Sequence, residues 1–87
     1  MLYALLGNPK TRRVVYGHLF KEQKGKCAIC GTERAIDAPK WMKLLIDHDH
    51  ETDEVRGLLC QSCNILVGRL EHRFVEKALD YLAKHSR

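Results

Sequence analysis

Two Cys-x-x-Cys pairs, Cys27/Cys30 and Cys60/Cys63, stand in this chain of 87 residues with 29 residues between them. Paired thiols at such a spacing suit tetrahedral zinc, and a shared ion pins two distant segments to one point. A short chain needs a staple of this kind, because at this size folding buries only about 60 to 65% of the surface the unfolded form exposes. Structural zinc supplies roughly 10 to 16 kcal/mol in finger-sized peptides, comparable to the stability of a whole domain. The gap exceeds the roughly 15 to 20 residues of a zinc ribbon, which leaves room for an inserted strand and loop. Two other readings of the cysteines stand beside this one. A redox Cys-x-x-Cys calls for a βαβ setting, which the pattern lacks, and explains only one pair. Two disulfides call for an oxidising compartment.

The chain has no internal repeat, no low-complexity tract and no linker rich in Pro, Gly or Ser, so a single domain over residues 1–87 is expected. The apolar opening Met1-Leu2-Tyr3-Ala4-Leu5-Leu6 is too short for a signal sequence and has no charged leader or cleavage site. No stretch approaches the roughly 20 apolar residues of a membrane span, so no membrane association is expected. The expectation is an intracellular protein, in a compartment where thiols stay reduced and free to bind metal. The net charge of +4 is unevenly placed. Residues 1–26 carry six Lys or Arg against one acid, residues 27–59 four against seven, and residues 60–87 five against three. A cation held in the acidic middle relieves repulsion of a polyanion while the basic flanks attract phosphates; solvated helix faces explain the same charges more plainly.

Asn8-Pro9 supplies an N-cap and a proline at the first helical position, predicting a helix over about 9–22 with Val15, Leu19, Tyr16 and Phe20 in two adjacent rows. Gly25 ends it, and 26–31 reads as a metal knuckle turning back at Gly31. Residues 32–41, with Pro39, form an irregular connection. Lys43 to His48 and Val55 to Leu59 read as the two strands of a hairpin turned at Glu51 to Glu54, with Gly57 marking a bulge or a close backbone approach. Helical periods follow over about 61–71 and 73–84, the second placing Val75, Ala78, Leu79 and Leu82 on one face. The expected core of about 43–71 is therefore strand, strand, helix.

At the end of the first strand comes Asp47-His48-Asp49-His50. Four ionisable groups in a row bring an acid, a base and hard oxygen ligands to one spot, which structural zinc does not require. Regular alternation would send Asp47 and Asp49 to one face and His48 and His50 to the other. Asn64 follows Cys63, so the cysteine clamp holds its side chain near the hairpin. Arg56 is either a cross-strand partner for an acid of the Asp-His run or a phosphate ligand. His18, His72 and His85 read as surface residues, and Trp41 as packed beneath the clamp rather than stacked on a base. Arg12, Arg13 and Arg69, with Arg56, are the candidates for nucleic-acid contact.

The assembled runs Lys26-Cys-Ala-Ile-Cys-Gly, Leu45-Ile-Asp-His-Asp-His-Glu-Thr and Val55-Arg-Gly-Leu-Leu-Cys-Gln-Ser-Cys-Asn64 resemble the phage recombination endonuclease VII family of HNH, or His-Me finger, nucleases. The resemblance covers about Leu19 to Leu82. It implies a small α+β fold: a zinc-stapled ββα-metal core flanked by an N-terminal and a C-terminal helix, cleaving DNA phosphodiesters with a divalent cation, Mg²⁺ or Mn²⁺. Carried over residue by residue, it implies Asp47 and Asn64 as ligands of the catalytic ion, His48 as general base, and His50 as a second active-site histidine near the scissile phosphate. Cys27, Cys30, Cys60 and Cys63 hold the structural zinc. The turn departs from the family pattern, reading Thr52-Asp53-Glu54 where a glycine is common, and no second carboxylate stands one turn beyond Asn64.

The expected function is a metal-dependent DNA endonuclease, acting as a nickase or as half of a homodimer. The competing function is a non-catalytic zinc module binding DNA or a phage or host protein.

Overall fold

In the computed structural model, which describes residues 1–85, three α-helices and a two-stranded sheet follow a short 3-10 helix, Tyr3–Gly7. Helix α1 spans Pro9–Glu22, strand β1 Leu45–His48, strand β2 Val55–Leu59, helix α2 Gln61–Leu70 and helix α3 Phe74–Lys84. The fold is a small α+β arrangement. Among the described residues no helix is long and apolar enough to cross a membrane.

Helix α1 starts where Asn8 says it should. The Asn8 side-chain oxygen accepts from the Lys10 and Thr11 backbone N–H groups, and Pro9 sits where a missing N–H costs nothing. At the other end Gln23 does more than terminate the helix. Its amide nitrogen donates to the carbonyls of Lys26 (2.8 Å) and Leu58 (2.9 Å), while its oxygen accepts from the Leu58 N–H (2.9 Å). The side chain therefore serves the outer edge of β2 as a further strand would, satisfying groups that would otherwise be orphaned. Gly57 is bare for the same reason: a Cβ there would meet Gln23 Oε1 at 3.0 Å.

The hairpin is antiparallel, pairing Leu45 with Leu59, Ile46 with Leu58 and Asp47 with Gly57. His48 then pairs with Val55, so Arg56 is the extra residue of a bulge at the turn end of the hairpin. In the turn Asp53 takes a left-handed φ of 63°, a conformation that glycine adopts freely and Asp tolerates. The strained position is tied down: its carbonyl accepts from the Tyr3 N–H at 2.7 Å and its carboxylate from the Ala4 N–H at 2.8 Å. The amino-terminal residues, legible in the sequence only as a short apolar run, are thereby fixed to the hairpin turn, and Leu6 is buried.

The core and the cysteine cluster are one body. Cys27, Cys60 and Cys63 are buried together with Leu44, Leu58 and Leu59, and Tyr16, Leu19, Phe20, Ile46 and Val67 pack against them. Trp41 is no part of it: at 72% exposed it lies outside the clamp instead of beneath it, because Leu44 and Leu58 already fill that space. Helix α3 packs on α2 but buries no residue, leaving Leu79 and Leu82 exposed.

Candidate active site

The cysteine cluster joins the knuckle after α1 to the start of α2. The thiol sulfurs of Cys27, Cys30, Cys60 and Cys63 lie within 4.8 Å of one another, and none is joined in a disulfide. Four sulfurs about 2.3 Å from a common zinc sit about 3.8 Å apart, and Cys30 Sγ lies 3.7 Å from Cys60 Sγ. The knuckle turns back at Gly31, with φ +75°, and its N–H donates to the Cys27 carbonyl. Cys60 caps α2 and Cys63 lies in its first turn, so both pairs sit in tight local structure.

The thiols also differ electrically. Burial resists ionisation of Cys27, but backbone N–H groups of Cys60, Cys30 and Ile29 outweigh it and draw the thiol well below its usual range. Cys63 is pushed the opposite way by burial and by its three neighbouring thiols. The thiolate is favoured at Cys27 and opposed at Cys63, a conflict that a divalent cation would resolve. The donor set and spacing fit a structural zinc.

The clamp sets the base of α2 against β1, and a cleft of about 490 Å³ opens between β1, α2 and the amino-terminal segment. Asp47, His48, His50 and Asn64 all line it, as do Arg12 and Arg69. Asn64 is held in the first turn of α2, its N–H bonded to the Cys60 carbonyl at 2.9 Å. The His48 and His50 rings are tilted against each other with centroids 4.7 Å apart, so both imidazoles face one space. Asp49 does not join them. Its carboxylate accepts from the Glu51 and Thr52 N–H groups, which hold it below the usual carboxylate range and build the turn.

Asp47 is buried beneath the bulge and gripped from the side. Arg56 donates from Nε to Oδ2 at 2.7 Å and from Nη2 to Oδ1 at 3.0 Å, a bidentate pair. The same guanidinium reaches both oxygens of Glu71, at 3.1 and 2.9 Å, and the His48 carbonyl at 3.2 Å. Hydrogen bonds from Arg56 hold Glu71 below its ordinary range. Of the two roles open to Arg56, the geometry is that of a cross-strand partner. Each Asp47 oxygen keeps a second lone-pair direction, so the pairing leaves room for a cation. Arg13, by contrast, lines a neighbouring groove shared with Arg12.

Three residues of the cleft carried no functional signal in the sequence. Tyr3 stacks flat on His48, with centroids 3.8 Å apart and planes 9° from parallel. Glu71 is the second carboxylate, delivered from the carboxyl end of α2 instead of one turn past Asn64. His72 is exposed, as expected, yet lines the same cleft.

Four clustered cysteines with the donor set of a zinc site stand beside a cleft lined by Asp, His and Asn. The recombination endonuclease VII family model matches residues 5–84, and the chain belongs to that family. It is 40% identical over 72 residues to the Gene 59 protein of Mycobacterium phage D29, covering 79% of this chain and 41% of the relative. The Gene 59 protein of Mycobacterium phage L5 is 40% identical over 70 residues, 77% of this chain and 40% of the relative. The chain thus spans about two-fifths of the length of these curated relatives.

Proposed function

We propose that the protein is a metal-dependent DNA endonuclease of the His-Me finger type. The observation that carries the proposal is the convergence of Asp47, His48, His50 and Asn64 on one cleft beside the cysteine clamp. Asp47 and Asn64 offer hard oxygen donors suited to Mg²⁺ or Mn²⁺, and two protein ligands leave positions open for substrate and water. Such an ion supplies polarisation of the scissile phosphate and stabilises charge on the leaving oxygen.

The chain's own residues account for the remainder. His48 accepts the proton of the attacking water as the water oxygen bonds to phosphorus and one backbone P–O bond breaks. The Tyr3 ring fixes the plane of that imidazole. His50 donates a hydrogen bond to a non-bridging phosphate oxygen. Arg56 holds Asp47 in place from behind and is itself steadied by Glu71. The zinc cluster positions both halves of the site and takes no part in the chemistry. The substrate is DNA, cut as a nickase or as half of a homodimer, within the host cytoplasm for a phage-encoded chain.

One observation favours a second reading. Both carboxylate oxygens of Asp47 are engaged by Arg56, which suits a zinc module that binds DNA or a protein without cutting. Supercoiled plasmid separates the two. The zinc-loaded chain should nick it when Mg²⁺ or Mn²⁺ is added, and His48→Ala should not. Plasmid left intact by the parent chain, or nicked equally by the variant, would end the nuclease reading.

A further inference from the structure

Beside the active-site cleft runs a second groove of about 460 Å³, between α1 and the segment from Ile36 to Ile46. Its lining includes four cations, Arg12, Arg13, Lys40 and Lys43, and no Asp or Glu. Pro9, Arg12, Arg13, Tyr16 and Gly17 recur at the i, i+3, i+4, i+7 and i+8 spacing of one helix face, so α1 presents one continuous side to the groove. Among the described residues none of the four cations forms an ion pair, although acids elsewhere do. No acid lies in the first turn of α1, so nothing there offsets the positive end of its dipole.

A solvated charged face explains positive side chains that point away from one another. It does not explain four cations gathered around one concavity, with Lys43 anchored there. Lys43 Nζ lies 5.4 Å from the centroid of the Tyr16 ring, and the Tyr16 hydroxyl donates to the Leu44 carbonyl at 2.8 Å. That ring belongs to the side of the core, so the ammonium is seated on a fixed platform. Arg12 lines both this groove and the cleft of His48 and Asn64. The two concavities therefore adjoin along one arginine.

We propose that this groove is a second phosphodiester-binding site, holding the DNA backbone that flanks the scissile phosphate, with Arg13, Lys40 and Lys43 as its phosphate ligands and Arg12 at the junction. The proposal rests on the nuclease reading for the identity of the strand and extends the substrate path beyond the cleft. Binding here is sequence-independent, because cations meeting phosphates read charge and not base edges.

The test uses the zinc-loaded chain carrying His48→Ala, so that binding is read without cleavage, and a labelled duplex of about two helical turns titrated between about 50 and 200 mM salt. Arg13→Gln with Lys40→Gln leaves the Lys43–Tyr16 contact intact. Each phosphate ligand removed should flatten the slope of log K against log salt by about 0.9, so the pair should flatten it by about 1.8, which corresponds to about thirtyfold weaker binding at 0.15 M salt. Lys43→Gln added to the pair should flatten it again, and Lys84→Gln on α3 should leave it unchanged. Circular dichroism and zinc content confirm that each variant is folded.

Equal slopes for parent and groove variants would overturn the proposal, as would failure of the parent to bind the duplex or an equal flattening in Lys84→Gln. Capture of a protein partner in place of DNA would also overturn it. Plasmid cleavage by the unmutated chain is scored separately. If cleavage fails while the groove variants flatten the slope, the groove stands and the nuclease reading falls; if cleavage succeeds while the slopes agree, the reverse holds.

Discussion

Tyr3 lies flat on His48, their ring centroids 3.8 Å apart and their planes within 9° of parallel. The stack depends on the hairpin turn, whose Asp53 carbonyl receives the Tyr3 N–H. The amino-terminal segment thus orients an imidazole 45 residues further along the chain. Replacing Tyr3 with Ala frees the imidazole plane, and misplacement of a catalytic group by about 1 Å costs on the order of a hundredfold in rate. Single-turnover cleavage should therefore fall by about ten- to hundredfold in Tyr3→Ala. Tyr3→Phe, which keeps the ring, should stay close to the parent.

The four clustered cysteines predict a domain whose folding depends on zinc. Cys60→Ser, or removal of zinc by a chelator, should abolish the cooperative thermal transition and much of the far-UV circular dichroism, since roughly 10 to 16 kcal/mol of metal binding is comparable to the whole stability of such a domain. An unchanged melt after complete zinc removal would contradict the staple.

Gln23 closes the outer edge of β2 with three hydrogen bonds to main chain at Lys26 and Leu58. Gln23→Ala leaves a buried strand edge short of partners, and orphaned groups of that kind cost about 1 to 3 kcal/mol. Denaturant unfolding of the zinc-loaded protein should show a loss of that size. Lys24→Ala beside it, whose side chain forms no ion pair among the described residues, provides the comparison.

The Arg56–Glu71 pairing predicts a pH dependence. Glu71 is held below its unfolded range, so its contribution is present above the ordinary carboxylate pKa and is lost as pH falls through the lower folded value. Glu71→Gln should therefore lower the melting temperature at neutral pH, and the difference from the parent should narrow as pH drops below about 4. A difference that stays constant across that window would show that the charge of Glu71 is not what matters.

Much of this fold was legible in the sequence, and the reasons are local. Asn8-Pro9 encodes the start of α1 through the chemistry of a single cap. Two short apolar runs on either side of a polar turn encode the hairpin, and the Cys-x-x-Cys pairs encode the clamp because a ligand spacing leaves few geometries. The convergence of Asp47, His48, His50 and Asn64 follows from those elements, since the clamp fixes the distance between strand and helix.

What the sequence hid depends on tertiary neighbours. Tyr3 reaches His48 only because a left-handed Asp53 offers its carbonyl outward. Glu71 reaches Arg56 only because the bulge frees that side chain from the regular strand pairing. Gln23 resembles an ordinary polar helix end until an unpaired strand edge is brought beside it. Trp41 misleads because size and hydrophobicity favour burial, whereas Leu44 and Leu58, at 1% and 0% exposed, already occupy the space beneath the clamp.

The central claim is that His48 performs chemistry in a cleft built by the zinc clamp. Its most direct test is the single-turnover rate of cleavage of a labelled DNA duplex by the parent chain and by His48→Ala, at matched zinc content and saturating Mg²⁺. Loss of a general base should slow the variant by about 10² to 10⁴-fold while its DNA affinity and melting temperature stay near those of the parent. Equal rates in the two proteins would contradict the account.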